Sequence, residues 1–213
     1  MSTAIVEALE TAKIVPVIAI SEPEEALHIC EALQAGGLSV AEITFRTPAA
    51  REGLRLAVKA YPDFLIGAGT VTQKEELDIA VDAGANFAVA PGLNPVILEY
   101  AASRDFPFIP GVCTPSDIEH GLQLGLTMLK YFPAEAAGGL KMLNAMYAPY
   151  AHRGVRFMPT GGVSLSNLNE YLSHPAVAAI GGTWIVAKNL VEEKNWKEIT
   201  RLTREAVETA VSV

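Results

Sequence analysis

Three ionisable side chains sit where apolar surroundings should not hold them. In Val40-Ala41-Glu42-Ile43-Thr44-Phe45-Arg46, strand alternation puts Ala41, Ile43 and Phe45 on one side and Glu42, Thr44 and Arg46 on the other. In Thr127-Met128-Leu129-Lys130-Tyr131-Phe132-Pro133, one lysine stands among apolar neighbours. An interior charge costs several kcal/mol unless it is paired. A structural ion pair filling the core is the plain alternative, but a carboxylate, a guanidinium and an amine on two strands suit chemistry better. An amine kept from water gives up its proton more readily than an exposed one, and the neutral form attacks a ketone to give an iminium. A neighbouring carboxylate such as Glu42 moves the protons that this step requires.

Two glycine pairs supply the second kind of chemistry. Pro159-Thr160-Gly161-Gly162-Val163-Ser164 and Gly181-Gly182-Thr183-Trp184 each follow a short apolar run. Backbone without Cβ aims N–H groups at an anion, and the Thr183 hydroxyl adds a donor. Gly67-Ala68-Gly69-Thr70 and Ala90-Pro91-Gly92 end two further runs with small residues, leaving room for a ligand beside Thr70 and Pro91. Thr114 before Pro115 reads as a helix cap. His28, His120, His152 and His174 fall on helices or connections without metal-ligand spacing, so no metal site is expected. Cys30 and Cys113 read as two separate reduced thiols.

These groups need a scaffold that points strand ends at one place. Apolar, β-branched runs recur at 14–20, 40–45, 64–68, 87–90, 106–109, 128–132, 155–158 and 177–180. Their starts lie far enough apart for one strand, one helix and two short loops each. Helix signals fill the gaps: Ser21 with Glu24 and Thr72 with Glu75 as capping boxes, Thr47-Pro48 as a cap, and Gly36, Gly84 and Gly125 as helix ends in the left-handed region. Eight such units predict a closed (β/α)8 barrel, a single α/β domain over 1–213, with an N-terminal helix at 4–11 plugging one end. Trp196, Ile199, Leu202 and Val207 mark a C-terminal amphipathic helix. An open doubly wound sheet is the runner-up, disfavoured because no run is polar enough for an exposed edge and no Gly-x-Gly-x-x-Gly follows the first strand.

The chain has 213 residues, 50% of them hydrophobic, which suffices for a large core without disulfide or metal staples. With 24 acidic against 16 basic residues its net charge is -8, which repels nucleic acid and anionic bilayers. An anionic substrate must therefore be caught by local donors. Met1-Ser2-Thr3-Ala4 opens no basic-then-apolar leader, so a cytoplasmic location is expected.

In order and spacing, Glu42-Ile43-Thr44-Phe45-Arg46-Thr47, Gly67-Ala68-Gly69-Thr70-Val71, Lys130-Tyr131-Phe132-Pro133-Ala134-Glu135 and Pro159-Thr160-Gly161-Gly162 resemble the 2-keto-3-deoxy-6-phosphogluconate (KDPG) and 4-hydroxy-2-oxoglutarate aldolase family almost end to end. The resemblance implies a homotrimeric class I aldolase on a (β/α)8 barrel, with no cofactor beyond a covalent lysine Schiff base. It implies Lys130 as the Schiff-base lysine, Glu42 as general acid and base, and Arg46 with Thr70 at the pyruvyl carboxylate. Gly161, Gly162 and Thr183 then cradle the phosphate, joined by Thr160 and Gly182, while Pro91 lines the rim and Phe132 packs beside the iminium. Thr183 and Cys113 stand where serine is common in the family. The competing activity is a phosphate-binding barrel isomerase or epimerase with Glu42 as base, and a silent sugar-phosphate sensor is the non-enzymatic one.

Overall fold

A computed structural model describes residues 3–211; Met1, Ser2, Ser212 and Val213, at the two ends of the expected domain, lie outside the described residues. The strands are β1 (Ile14–Ile18), β2 (Val40–Thr44), β3 (Leu65–Gly69), β4 (Phe87–Val89), β5 (Phe108–Ile109), β6 (Gly111–Val112), β7 (Met128–Tyr131), β8 (Arg156–Phe157) and β9 (Ile180–Gly182). Helices alternate with them: α1 (Thr3–Ala12), α2 (Glu25–Ala35), α3 (Ala49–Ala60), α4 (Lys74–Asp82), α5 (Pro95–Ser103), α6 (Pro115–Gln123), α7 (Gly139–Tyr147), α8 (Leu168–Leu172), α9 (Lys188–Glu192) and α10 (Trp196–Val211).

Every described strand pairing is parallel, as crossover helices require. The ladders form a six-stranded sheet in the order β5-β4-β3-β2-β1-β9 and a three-stranded sheet β6-β7-β8. Isolated bridges, Phe157 to Val177 and Thr160 to Gly181, lie between β8 and the β9 segment. The expected α/β class with a parallel, helix-covered sheet is thus present, drawn as two sheets rather than as one uninterrupted eight-stranded ring. The expected 106–109 strand shortens to Phe108–Ile109 (β5), and a further strand, β6, follows beyond Pro110, which carries no N–H for the ladder. All five residues of β1 and of β2 are buried, which fits strands covered on both faces.

At the N-terminal ends of the strands, α1 buries Leu9 and sets Glu10 3.2 Å from Arg156 at the start of β8. Lys13 donates to the Ala210 carbonyl of α10 at 2.8 Å. The amphipathic α10 buries Ile199, Thr203, Ala206 and Ala210 and packs on α2.

Several local expectations are corrected. The Glu25 carboxylate, not Glu24, accepts from the Ser21 and Glu22 N–H groups ahead of α2. Glu76, not Glu75, accepts from Thr72 and Gln73, one residue later than the spacing suggested. Thr47 does not cap α3: Pro48 stands at the N-cap, where no side chain caps the helix, and the Thr47 hydroxyl donates to the Ile20 carbonyl at 2.6 Å. Thr114 caps α6 as expected, in a reciprocal box with Asp117. Gly36 ends α2 in the right-handed region and its neighbour Gly37 takes the positive φ, whereas Gly84 and Gly125 are left-handed as expected. The last strand is also displaced. Val177 makes only a bridge, while Gly181 and Gly182, expected in a turn, belong to β9 and pair with Val15 and Pro16.

Candidate active site

The C-terminal ends of the strands surround a cleft of about 230 Å³, lined among others by Lys130, Glu42, Arg46 and Thr70. Pro91, Phe132, Thr160, Gly161, Gly162, Gly182 and Thr183 line the same cleft, so all the residues singled out in the sequence meet in one place. A larger hollow of about 530 Å³ lies at the opposite strand ends, around Ala12, Leu38 and Val40; neither Lys130 nor Glu42 lines it.

Lys130 and Glu42 form the floor. Lys130 Nζ lies 3.1 and 3.3 Å from the two Glu42 oxygens. Their side chains are 6% and 1% exposed. Register explains how they meet: Glu42 on β2 stands level with Val17 of β1 and Gly67 of β3, and Lys130 on β7 is level with Gly111 of β6. Gly69 makes room for the carboxylate, since a Cβ there would overlap Glu42. The Phe132 ring centre lies 5.6 Å from the Lys130 amine, so the same ammonium meets a carboxylate on one side and an aromatic face on another. A proton leaving Lys130 therefore has an acceptor in contact.

Arg46 reaches the rim of the cleft and is held by a relay. Its Nε donates to Thr44 Oγ1 at 3.0 Å, and the buried Thr44 hydroxyl donates to the Ile18 carbonyl at 2.7 Å. Thr70 follows β3 with φ +60°, an uncommon conformation for a β-branched residue, and its neighbour Val71 is tied by N–H to the Val89 carbonyl. The hydroxyl and guanidinium lie on adjacent strand ends, a donor set suited to a carboxylate.

On the far wall, Gly161 and Gly162 are consecutive left-handed residues, φ +96° and +84°. Such a pair is open to glycine and turns the backbone sharply after the buried Thr160. Gly182 and the exposed Thr183 complete that side from the end of β9. Three lining residues had no assigned role in the sequence: Val17, Thr44 and Val163. Alternation had already put Thr44 on the face of Glu42 and Arg46, and its hydroxyl was the available signal.

Elsewhere, burial pushes the Cys30 thiol up to about 12, and both cysteines are free. No cluster of three potential metal ligands exists among the described residues. No helix among them is long and apolar enough to cross a membrane.

The chain matches the model of the KDPG and KHG aldolase family over residues 5–202. It is 47% identical over 204 residues to the 2-dehydro-3-deoxy-phosphogluconate aldolase of Haemophilus influenzae, covering 96% of this chain and 95% of that protein. A crystal structure of the Legionella pneumophila KDPG aldolase, with pyruvate captured as a covalent carbinolamine, superposes with a TM-score of 0.90 at 42% identity, covering 94% of this chain and 97% of that one. The Zymomonas mobilis ZM4 enzyme with 3-phosphoglycerate gives 0.84 at 40% identity, covering 94% and 92%.

Proposed function

This chain belongs to the KDPG and KHG aldolase family, and on that premise we propose that its cleft works through Lys130 as the Schiff-base lysine and Glu42 as the proton shuttle. The protein is a carbon–carbon lyase that cleaves 2-keto-3-deoxy-6-phosphogluconate to pyruvate and glyceraldehyde 3-phosphate by Schiff-base chemistry. The observation that carries the assignment of roles is the 3.1 Å contact between a buried amine and a buried carboxylate.

The steps follow from that contact. Glu42 takes a proton from the Lys130 ammonium, and the neutral amine adds to the C2 ketone to give a carbinolamine. The proton returns to the departing hydroxyl, water leaves, and an iminium forms. Glu42 next accepts the C4 hydroxyl proton as the C3–C4 bond breaks; the bonding pair passes to the iminium, leaving an enamine and glyceraldehyde 3-phosphate. Protonation of the enamine at C3 restores the iminium. Water hydrolyses it, releasing pyruvate and the amine. The lysine makes the isomerase reading superfluous, because proton transfer alone needs no covalent amine.

Arg46 and Thr70 hold the pyruvyl carboxylate, and Phe132 covers the iminium. The backbone at Gly161, Gly162 and Gly182, with the Thr160 and Thr183 hydroxyls, receives the phosphate; Pro91 shapes the rim. The Zymomonas mobilis relative with 3-phosphoglycerate supports a phosphorylated ligand. 4-Hydroxy-2-oxoglutarate, which lacks the phosphate, is the second substrate. In this reading the two sheets close into one (β/α)8 ring within a single domain, supported by the Thr160–Gly181 bridge on one side and by the near-continuity of β5 and β6 across Pro110 on the other. A homotrimer in the cytoplasm completes it, resting on family membership, and sedimentation velocity tests the trimer.

A coupled assay of pyruvate release from KDPG tests the activity. Glu42→Gln should slow turnover by roughly 10² to 10⁴ while leaving pyruvate binding largely intact. Unchanged turnover in that variant contradicts the role of Glu42.

A further inference from the structure

The Gly161–Gly162 turn is gripped from beneath by groups that do not line the cleft. The Ala134 and Glu135 N–H groups donate to the Thr160 and Gly161 carbonyls at 2.8 and 3.0 Å. The aliphatic stem of Glu135 lies directly under Gly162, where a Cβ would collide with it. From the other side, Asn167 Nδ2 donates to the Gly162 carbonyl at 3.3 Å, while its Oδ1 accepts from Ser164 N–H at 2.8 Å. One helical turn along, the buried Tyr171 hydroxyl donates to the Glu135 carboxylate. Tyr171 N–H is in turn bonded to the Asn167 carbonyl at 3.1 Å. The turn is thus enclosed between the segment after β7 and the start of α8, with Tyr171 to Glu135 joining the two. Burial first, and then the Glu135 carboxylate, push the Tyr171 hydroxyl well above the usual phenol range, which keeps it a donor at any working pH.

We infer that the Tyr171–Glu135 hydrogen bond is a positioning clasp that fixes the Gly161–Gly162 turn for the substrate phosphate. This rests on the proposed phosphate role of that turn. A clasp acts on backbone direction, so its loss weakens capture of a phosphorylated substrate and leaves the Lys130 chemistry alone. Glu135 and Tyr171 do not line the cleft, and neither touches substrate in this reading.

The test compares steady-state constants for KDPG and 4-hydroxy-2-oxoglutarate in Tyr171→Phe, Glu135→Ala, Glu135→Gln and, as a control on the exposed face of α8, Glu170→Gln. Losing one clasp bond is expected to raise KM for KDPG about tenfold. The kcat for KDPG and both constants for the unphosphorylated compound should stay within about twofold. Glu135→Gln keeps the stem and an acceptor, so it should restore most of the KDPG affinity lost in Glu135→Ala. Equal changes for both substrates, or no change in KM for KDPG, overturn the clasp. If Tyr171→Phe fails to fold, the exposed Glu135 pair decides alone. A wild-type enzyme that shows no preference for the phosphorylated compound defeats the phosphate reading itself, and the clasp with it; a preference that the variants leave intact defeats only the clasp.

Discussion

The two ends of the strand array each hold a cation against a carboxylate, and the two pairs do opposite jobs. At the C-terminal ends, Lys130 and Glu42 are almost wholly removed from water and face a cleft. At the N-terminal ends, Arg156 and Glu10 meet at 3.2 Å with side chains 37% and 32% exposed, and fasten α1 across the start of β8. A half-exposed pair is worth little to stability, whereas a buried one seldom repays its desolvation. The expensive pair is therefore the one to explain by chemistry, and the inexpensive one by architecture.

The contrast breaks if the buried pair proves merely structural. Lys130→Met should cut KDPG cleavage by roughly 10⁴ or more, as loss of a nucleophile does elsewhere. It should also lower stability, because Glu42 is left alone in the interior at a cost of about 3–5 kcal/mol. Adding Glu42→Gln should return most of that stability in urea denaturation and none of the activity. A double variant that regains turnover would put the chemistry elsewhere.

A smaller effect sharpens the account of the active end. Thr44→Val removes the acceptor of Arg46 Nε and should raise KM for 2-oxo acids about tenfold, with kcat less affected. At the other end, Glu10→Gln should change unfolding free energy by no more than about 1 kcal/mol and leave both kinetic constants alone. A large loss of activity there would erase the distinction between the ends.

The smallest effect concerns pH. Partial burial lowers the His174 pKa below its ordinary value, and the neutral ring accepts from Ala176 N–H through Nδ1 while Nε2 faces the Asn144 side-chain oxygen. The unfolded chain takes up this proton near ~6.5, the folded chain only at lower pH. This contribution is then present above the unfolded value and is lost as pH falls towards the folded one. His174→Gln should flatten the fall in urea midpoint between about pH 7 and 5; an equally steep fall in the variant removes His174 as its source.

The sequence picked out the residues that line the candidate site better than it did the scaffold's joints. Glu42 and Arg46 were legible because period-two alternation puts them on one face, and Lys130 because it stands alone among apolar residues; the burial of Glu42 and Lys130 has few cheap explanations, whereas Arg46 is exposed at the rim. Cap positions slipped by a residue, as with Glu25 and Glu76, because glutamates stand both three and four residues after Ser21 and Thr72, and the spacing rule picks the nearer while the fold uses the farther. Gly181 and Gly182 read as a turn, yet they lie in β9; a glycine pair looks the same in a turn as in a strand pressed against a neighbour. Thr44 was placed on the right face without a role, since its bond to the Ile18 carbonyl spans elements that sequence does not bring together. The support beneath the glycine turn was invisible for the same reason: Tyr171 and Glu135 are distant in the chain and join only in three dimensions.

The most direct test is to incubate the protein with pyruvate, reduce with borohydride and map the product by peptide mass spectrometry. The account predicts a reduced pyruvyl adduct on Lys130, formed in wild type and absent in Lys130→Met. An unmodified Lys130 under conditions in which the enzyme turns over, or an adduct on another lysine, would contradict it.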